Sequence, residues 1–173
     1  MAIKKIVVIG PESTGKSTLC EALAIKLNTV WVPEYARQYL ENLERPYNEA
    51  DLLLIAKGQV ASEDALLNSA NGYLVCDTDL NVIKVWSEHK YGRCHPYILQ
   101  QVAERKYDFY LLADIDIPWQ YDPLREHEDR AMRQHFYSIY KGIVAQSGIP
   151  WAAISGAQYE ERLQKAIDAI GLI

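Results

Sequence analysis

The chain has 173 residues, which is enough for one domain with a full hydrophobic core and too few for two domains of ordinary size. Its 49% of hydrophobic and 24% of charged residues are typical of a soluble globular protein, and its net charge of −5 excludes a general basic surface for nucleic acid. No apolar segment is long enough to span a bilayer, and the three cysteines have no metal-ligand spacing. We therefore expect a single domain over residues 1–173, without a signal peptide, in the cytoplasm and with reduced thiols.

The first motif is a phosphate-binding loop that follows an apolar run at 6–9 and precedes a stretch of helix formers. It matches the pattern of Gly, any four residues and Gly-Lys-Ser/Thr, and the predicted ATP-binding residues are Gly10, Pro11, Glu12, Ser13, Thr14, Gly15, Lys16, Ser17 and Thr18. The two glycines let the backbone amides approach phosphate oxygens at the positive end of a helix. Lys16 places a charge on the β- and γ-phosphates, and Ser17 offers a hydroxyl to Mg²⁺. The motif predicts a site for ATP with Mg²⁺.

Strand-like and helix-like segments alternate along the whole chain. Short apolar or β-prone runs predict strands at 6–9, 29–32, 73–76, 109–113 and 150–154. Helical composition and apolar spacing predict helices at about 19–27, 34–43, 49–69, 82–89, 97–105, 130–146 and 159–170. This alternation is typical of an α/β fold with a parallel sheet covered by helices on both faces, in which ligands lie at the carboxyl ends of the strands.

Two carboxylates follow the third predicted strand. Asp77 has the position of a Walker B residue that holds Mg²⁺, and Asp79 could face the acceptor hydroxyl. Aspartate is also a favoured helix N-cap, and one residue can serve both purposes. We favour the functional interpretation because the residue type occurs twice.

A carboxylate and a guanidinium follow the second predicted strand. Arg37 lies three residues after Glu34, on the same face of a helix. The pair could form part of an acceptor pocket, or Glu34 could stabilise the first turn of its helix. Spacing alone does not separate these alternatives.

The segment 114–130 is long and polar, and we expect it to be a lid. Arg125 and Arg130 are spaced to reach the transferring phosphates from above. Long loops in compact domains often have a function, although the mixed charges of this segment also fit a solvated loop without one.

Weaker signals complete the predicted site. Ser155, Gly156 and Ala157 follow the last strand, where a turn of small residues could admit the base of ATP. Trp31 and Tyr35 lie near the end of the second strand and could stack on the ring of a substrate.

These motifs occur in the order seen in one family. The phosphate loop is accompanied by Pro-Glu-Tyr-Ala-Arg at 33–37, Gly58-Gln59, Asp77-Thr78-Asp79, His95-Pro96, and Pro118-Trp119 through Asp122, Leu124-Arg125 and Arg130. Over nearly its whole length the sequence resembles the nicotinamide riboside kinase domain of bacterial NadR proteins and the related stand-alone AAA-type ATPase/kinase domains. It departs from the family at Pro33, where the motif has an aromatic residue; Trp31, two residues earlier, would lean to the same face of a strand.

The resemblance implies a P-loop NTPase core with a five-stranded parallel sheet in the order 2-3-1-4-5, and a lid bearing Arg125 and Arg130. It also implies transfer of a phosphoryl group from MgATP to the 5′-hydroxyl of a small riboside. Nicotinamide riboside is the leading candidate for this acceptor. In the strand order 2-3-1, Asp77 should lie nearest Mg²⁺, Glu34 deepest in the acceptor pocket, and Asp79 between them.

Two other functions stay open from the sequence. One is a deoxynucleoside kinase, whose pocket would also suit Glu34 and Arg37. The other is a regulatory module that hydrolyses ATP slowly and has no small acceptor. We expect neither nucleic acid nor a membrane as a partner, and the oligomeric state, including a homo-oligomer, is left open.

Overall fold

The computed structural model of the protein describes residues 2–171. The strands are Lys4–Ile9 (β1), Trp31–Val32 (β2), Tyr73–Asp77 (β3), Phe109–Ala113 (β4) and Trp151–Ile154 (β5). The helices are Lys16–Lys26 (α1), Tyr35–Glu41 (α2), Glu49–Leu67 (α3), Leu80–Tyr91 (α4), Pro96–Glu104 (α5), Arg130–Gln146 (α6) and Tyr159–Ile170 (α7). In this part of the chain all five strands are parallel, in the order β2-β3-β1-β4-β5, so the predicted fold class is confirmed.

Both faces of the sheet are buried, which explains why the strands appear in the sequence as continuous apolar runs. On one face Ile6 and Val8 pack against α1 and α7, and on the other Val7 and Ile9 pack against α6. All four side chains are fully buried. Since burial of one such side chain contributes roughly 1.5–3 kcal/mol, β1 is firmly held at the centre of the sheet.

A third apolar cluster lies where α2, α3, α4 and α5 pack together. Its centre is formed by Leu52, Ile55, Ile83 and Ile98, all buried. Because α2 follows β2 and α4 follows β3, this cluster holds the first turns of both helices beside the carboxyl ends of those strands.

The element boundaries agree with the sequence-based prediction within three residues, and two of the differences lie beside the predicted site. β2 is reduced to Trp31–Val32, which pair only with β3 at the edge of the sheet. Helix α4 begins at Leu80 instead of 82, because the Asp79 side chain accepts a hydrogen bond from the Asn81 amide and caps the helix. Among residues 2–171, no helix combines the length and apolarity needed to cross a membrane.

Candidate active site

The phosphate loop connects β1 to α1, and its two glycines are required for different reasons: space at Gly10 and backbone conformation at Gly15. A Cβ atom at Gly10 would lie 2.7 Å from the carbonyl oxygen of Ala113, and Gly15 has a φ of 73°. Gly15 is also the N-cap of α1, and because glycine has no side chain that could cap the helix, the first amides stay free for an anion. The geometry is that of a phosphate-binding nest.

Two side chains of the loop lie against its backbone. The Lys16 Nζ atom donates a hydrogen bond to the Pro11 carbonyl at 2.7 Å, and the Thr14 hydroxyl donates to the same oxygen at 2.8 Å. Lys16 therefore spans the loop, and its ammonium group is held beside the place where phosphates would lie.

Ser17 and Asp77 meet directly below the loop. The Ser17 hydroxyl donates to Asp77 Oδ2 at 2.5 Å. Asp77 is 1% exposed, and its Oδ1 atom has no hydrogen-bond partner among the described residues. Burial, and then the negative charge of Glu34, raise the pKa of Asp77 above its usual range. An unsatisfied buried carboxylate beside a hydroxyl is suited to a cation.

These two residues fit Mg²⁺ bound together with a nucleotide. Within residues 2–171 no group of three or more His, Cys, Asp and Glu side chains could hold a metal by itself. Mg²⁺ commonly uses one or two protein ligands and takes the others from phosphate oxygens and water. Ser17 and Asp77 supply such a partial set.

Asp79 lies close to Asp77 in the chain but points elsewhere. Its Oδ2 atom accepts hydrogen bonds from the Tyr110 hydroxyl and the Asn81 amide side chain, each at 2.7 Å. Thr78 has a φ of 68°, which turns the chain and carries the Asp79 carboxylate into the interior. Burial raises the pKa of Asp79. The structure thus differs from the expectation that Asp79 lies between Asp77 and Glu34.

A cavity of about 570 Å³ extends from the phosphate loop in two directions. The predicted ATP-binding residues 10–18 all line it. Because β1 is the central strand, the ends of β4 and β5 lie to one side of the loop and the ends of β2 and β3 to the other. The cavity therefore has a β5 end and a β2 end, joined at the phosphate loop.

The β5 end is organised by an arginine that the sequence analysis missed. Arg162 donates from Nε to the Gly156 carbonyl at 2.7 Å and from Nη1 to the Thr14 carbonyl at 3.0 Å, and it pairs with Asp116. The Gly156 amide in turn donates to Asp116. Of the predicted residues Ser155, Gly156 and Ala157, only Ala157 lines the cavity.

The β2 end carries the predicted pair of Glu34 and Arg37, and both line the cavity. Arg37 forms an ion pair with Asp122 at 2.9 Å. Burial lowers the pKa of Arg37, but the hydrogen bond and the charge of Asp122 outweigh burial, so the pKa is raised. Glu34 and Arg37 thus both face the β2 end of the cavity, and Arg37 also contacts the segment 114–129 through Asp122.

The aromatic wall of the β2 end is formed by Trp86, not by the predicted rings. Trp86 of α4 lines the cavity together with Leu40 and Val82. Trp31 instead packs against the core on the α1 side of the sheet, and Tyr35 packs so closely on Gly58 that a Cβ there would lie 2.0 Å from Cε1. Neither Trp31 nor Tyr35 lines this cavity.

The predicted lid is an irregular loop at 114–129, the lid loop, which lies over the phosphate loop. The Glu12 carboxylate accepts hydrogen bonds from the amides of Glu126 and His127, each at 3.1 Å. The Ser13 hydroxyl accepts one from the Gln120 amide at 2.9 Å. Side chains of the phosphate loop thus hold the lid loop against it.

Two arginines enter the cavity near these contacts. Arg125 lines it and donates to the Gln120 carbonyl at 2.5 Å. Arg133, in the first turns of α6, is 6% exposed and donates to the Ser13 carbonyl at 3.1 Å. Its Nε atom has no partner among the described residues, and burial lowers its pKa, as do the charges of Arg125 and Arg130. Such a buried guanidinium is suited to a phosphate.

Arg130 is the predicted lid arginine that the structure places elsewhere. It is the first residue of α6, it is exposed, and it does not line the cavity. The next turn of the helix carries Arg133 under the lid loop instead. The sequence-based prediction selected Arg130 because it directly follows the loop, and it missed Arg133, which lies one helical turn later.

The family model of the AAA domain matches residues 5–162. The chain belongs to the AAA domain family. This AAA domain is 25% identical over 174 residues to the trifunctional NAD biosynthesis/regulator protein NadR of Escherichia coli (strain K12), an alignment that covers 97% of the chain and 42% of NadR. It therefore spans less than half the length of that relative.

Two solved structures have the same fold as this AAA domain. A crystal structure of NadR protein in complex with NR has a TM-score of 0.82 and 25% identity, and the match covers 99% of this chain and 49% of that chain. Deoxyadenosine kinase from M. mycoides has a TM-score of 0.68 and 13% identity, and the match covers 98% and 100% of the two chains. The AAA domain thus has the architecture of P-loop kinases.

Proposed function

We propose that the protein is an ATP-dependent kinase that phosphorylates the 5′-hydroxyl of nicotinamide riboside to give nicotinamide mononucleotide. The observation that carries the proposal is the cavity that joins the phosphate loop to a second end lined by Glu34, Arg37 and Trp86. An ATPase without an acceptor has no need of that second end. The similarity to a NadR protein that binds NR supports this acceptor class.

In the proposed reaction the 5′-oxygen of the riboside attacks the γ-phosphorus of ATP. The bond from that phosphorus to the β–γ bridging oxygen breaks, ADP leaves, and the hydroxyl proton passes to Glu34. Because the transition state of phosphoryl transfer is loose, the base adds little and positioning dominates. Glu34 then serves chiefly to orient the hydroxyl.

The cations of the site neutralise charge on the transferring group. Lys16 lies beside the phosphate loop, and Arg125 and Arg133 approach from the lid side. Asp79 and Arg130 have no place on the cavity wall, so we assign the acceptor role to Glu34 and the second arginine role to Arg133. Ser17 and Asp77 would hold Mg²⁺, which neutralises the β- and γ-phosphates when it is bound with ATP.

At the acceptor end, Trp86, Leu40 and Val82 form an apolar wall for the ring of the riboside. Trp86 supplies the aromatic surface that Pro33 does not. Because the aromatic side chain comes from α4 and not from the position of Pro33, the acceptor is best identified by a direct test.

The test is a panel of nucleosides and ribosides incubated with MgATP, with ADP release measured by a coupled assay. We expect nicotinamide riboside to raise ADP release well above the rate with water alone, and Lys16→Ala to abolish the increase. A larger increase with deoxynucleosides would show a deoxynucleoside kinase. No increase with any member of the panel would contradict the kinase proposal.

A further inference from the structure

One hydroxyl group joins the acceptor end of the cavity to the lid loop. The Tyr47 hydroxyl accepts a hydrogen bond from Trp86 Nε1 at 2.9 Å and donates one to Glu126 Oε1 at 2.8 Å. Trp86 and Glu126 both line the cavity, one from α4 and the other from the lid loop. Tyr47 itself does not line it.

The position of Trp86 depends on Tyr47 in a second way. The two rings pack edge to face, with their centroids 4.8 Å apart. A ring held by both an edge contact and a hydrogen bond has little freedom to leave the cavity wall. Tyr47 therefore fixes the aromatic surface against which an acceptor would lie.

The contact with Glu126 is reinforced by a lysine. Lys90 Nζ lies 3.8 Å from the centroid of the Tyr47 ring and donates to its hydroxyl at 2.5 Å, and it also pairs with Glu126 at 3.4 Å. Burial and the hydrogen bond to Glu126 raise the pKa of Tyr47, so the hydroxyl keeps the proton that it donates. The lid loop is thus attached to a fixed point.

The loop that carries Tyr47 is itself rigidly held. Asp51 is 1% exposed and accepts two hydrogen bonds from Arg45, at 2.7 and 2.8 Å, and one from the Asn48 amide at 2.7 Å. These bonds bracket Tyr47 on both sides in sequence. Tyr47 is therefore preorganised before any ligand arrives.

Glu126 also belongs to the contacts that close the lid over the phosphate loop, since its amide donates to Glu12. A continuous path of contacts runs from Trp86 through Tyr47 and Glu126 to Glu12. We propose that Tyr47 is a positioning residue that couples occupancy of the acceptor end to closure of the lid over ATP. This inference rests on the proposed function for the identity of the acceptor.

The test uses Tyr47→Phe, which keeps the ring and removes the hydroxyl. The affinity of a non-hydrolysable ATP analogue is measured by calorimetry with and without nicotinamide riboside, and the affinity of the riboside with and without the analogue. By linkage, each ligand tightens the other by the same factor. We expect that factor to fall roughly three- to tenfold toward one in Tyr47→Phe, which corresponds to the one hydrogen bond, among the three of the hydroxyl, that reaches the lid loop.

The second measurement is hydrogen exchange of the lid loop with the ATP analogue bound. We expect residues 120–128 to exchange faster in Tyr47→Phe than in the wild type. Tyr107→Phe is the matched control, because the Tyr107 hydroxyl also donates to a carboxylate, Glu63, at 3.0 Å but does not line the cavity and does not contact the loop that carries Tyr47. It should change neither the coupling factor nor the exchange of the lid loop.

Glu126→Ala is a second variant, which leaves Tyr47 in place and removes the oxygen that accepts its hydrogen bond, while the backbone amide that donates to Glu12 is kept. We expect it to reproduce the effect of Tyr47→Phe, and the double variant to add nothing further, because both changes break the same contact. An unchanged coupling factor with unchanged lid exchange in Tyr47→Phe would overturn the inference, as would fully additive effects of the two changes.

The inference and the proposed function can fail separately. If the wild type binds the riboside without phosphorylating it, the proposed kinase activity is wrong and the coupling factor still decides the role of Tyr47. If the wild type does not bind the riboside, the coupling factor is measured with a nucleoside of the panel that it does bind, and exchange of the lid loop with the ATP analogue tests the contact between Tyr47 and Glu126.

Discussion

Buried charges lie at both ends of the parallel sheet, and they differ in whether the protein satisfies them. Near the amino ends of the strands, Glu63 is 2% exposed and has three partners. It lies 3.0 Å from Lys5 Nζ and 2.9 Å from Arg105, and it accepts a hydrogen bond from the Tyr107 hydroxyl at 3.0 Å. Its charge is neutralised entirely by the fold.

Two buried charges at the carboxyl ends show the opposite pattern, although Arg162 in the same region is paired with Asp116. Asp77 keeps an unpaired oxygen, and Arg133 has no anionic partner among the described residues. Leaving a buried charge unsatisfied costs several kcal/mol, and such groups persist where a ligand completes them. The difference suggests that the charge of Glu63 stabilises the fold and that those of Asp77 and Arg133 are kept for a ligand.

The largest difference should appear when one lysine at each end of the sheet, Lys16 or Lys5, is replaced by alanine. We expect Lys16→Ala to lower turnover by at least ~10³-fold, because it removes the loop ammonium that neutralises the γ-phosphate. Lys5→Ala should leave turnover near normal and lower the free energy of unfolding by about 1–3 kcal/mol, because Glu63 loses a partner. Coupled ADP release and urea denaturation measure the two quantities. Near-normal turnover in Lys16→Ala would refute the phosphate-loop assignment.

A smaller difference in kcat should distinguish variants of two arginines that lie one turn apart on α6, Arg133 and Arg130. We expect Arg133→Ala, like Arg125→Ala, to lower kcat at least ~10²-fold with little change in KM for ATP, because these groups meet charge that forms in the transition state. The exposed Arg130 is the matched control, and Arg130→Ala should retain nearly full kcat. Steady-state kinetics and urea denaturation of each variant distinguish lost catalysis from lost folding. An equal loss in Arg130→Ala would restore the assignment made from the sequence.

These arginines show where prediction from the sequence ends. Five strands and seven helices could be located because apolar runs and helical spacing are local properties, and the motif order added the strand order through a family resemblance. The phosphate loop could be placed for the same reason, since its chemistry lies within nine consecutive residues. Which arginine of α6 enters the cavity depends on how the helix is rotated against the sheet.

The same limit applies to the acceptor end. The doubled aspartate suggested two functional carboxylates, but the positive φ of Thr78 turns Asp79 toward Tyr110. Trp86 could not be assigned because it lies seven residues beyond Asp79, within a helix whose apolar residues, apart from Val82, otherwise form core. Its contact with the cavity depends on the packing of α4 against its neighbours.

A further prediction concerns Glu34, the carboxylate assigned to the acceptor. We expect Glu34→Gln to raise KM for nicotinamide riboside roughly tenfold, because a hydrogen bond to a charged group is lost. Binding of ATP and the dependence on Mg²⁺ should change little. Glu44→Gln, which changes an exposed carboxylate just beyond α2 that does not line the cavity, is the matched control. If Glu34→Gln alters only the Mg²⁺ response, the roles of Glu34 and Asp77 have been assigned the wrong way round.

The smallest effect tests the unsatisfied carboxylate directly. Because the pKa of Asp77 is raised, its protonated form stabilises the fold at low pH, and that contribution is lost as the pH rises through the raised pKa. In EDTA and without nucleotide, we therefore expect Asp77→Asn to increase the free energy of unfolding by about 1 kcal/mol at pH 7.5, with the gain disappearing near pH 4. The same variant should need more Mg²⁺ for turnover. Glu63→Gln should lower stability at pH 7.5 by about 3 kcal/mol and leave the Mg²⁺ response unchanged. If both variants are destabilised alike, the two ends of the sheet do not differ in the way proposed.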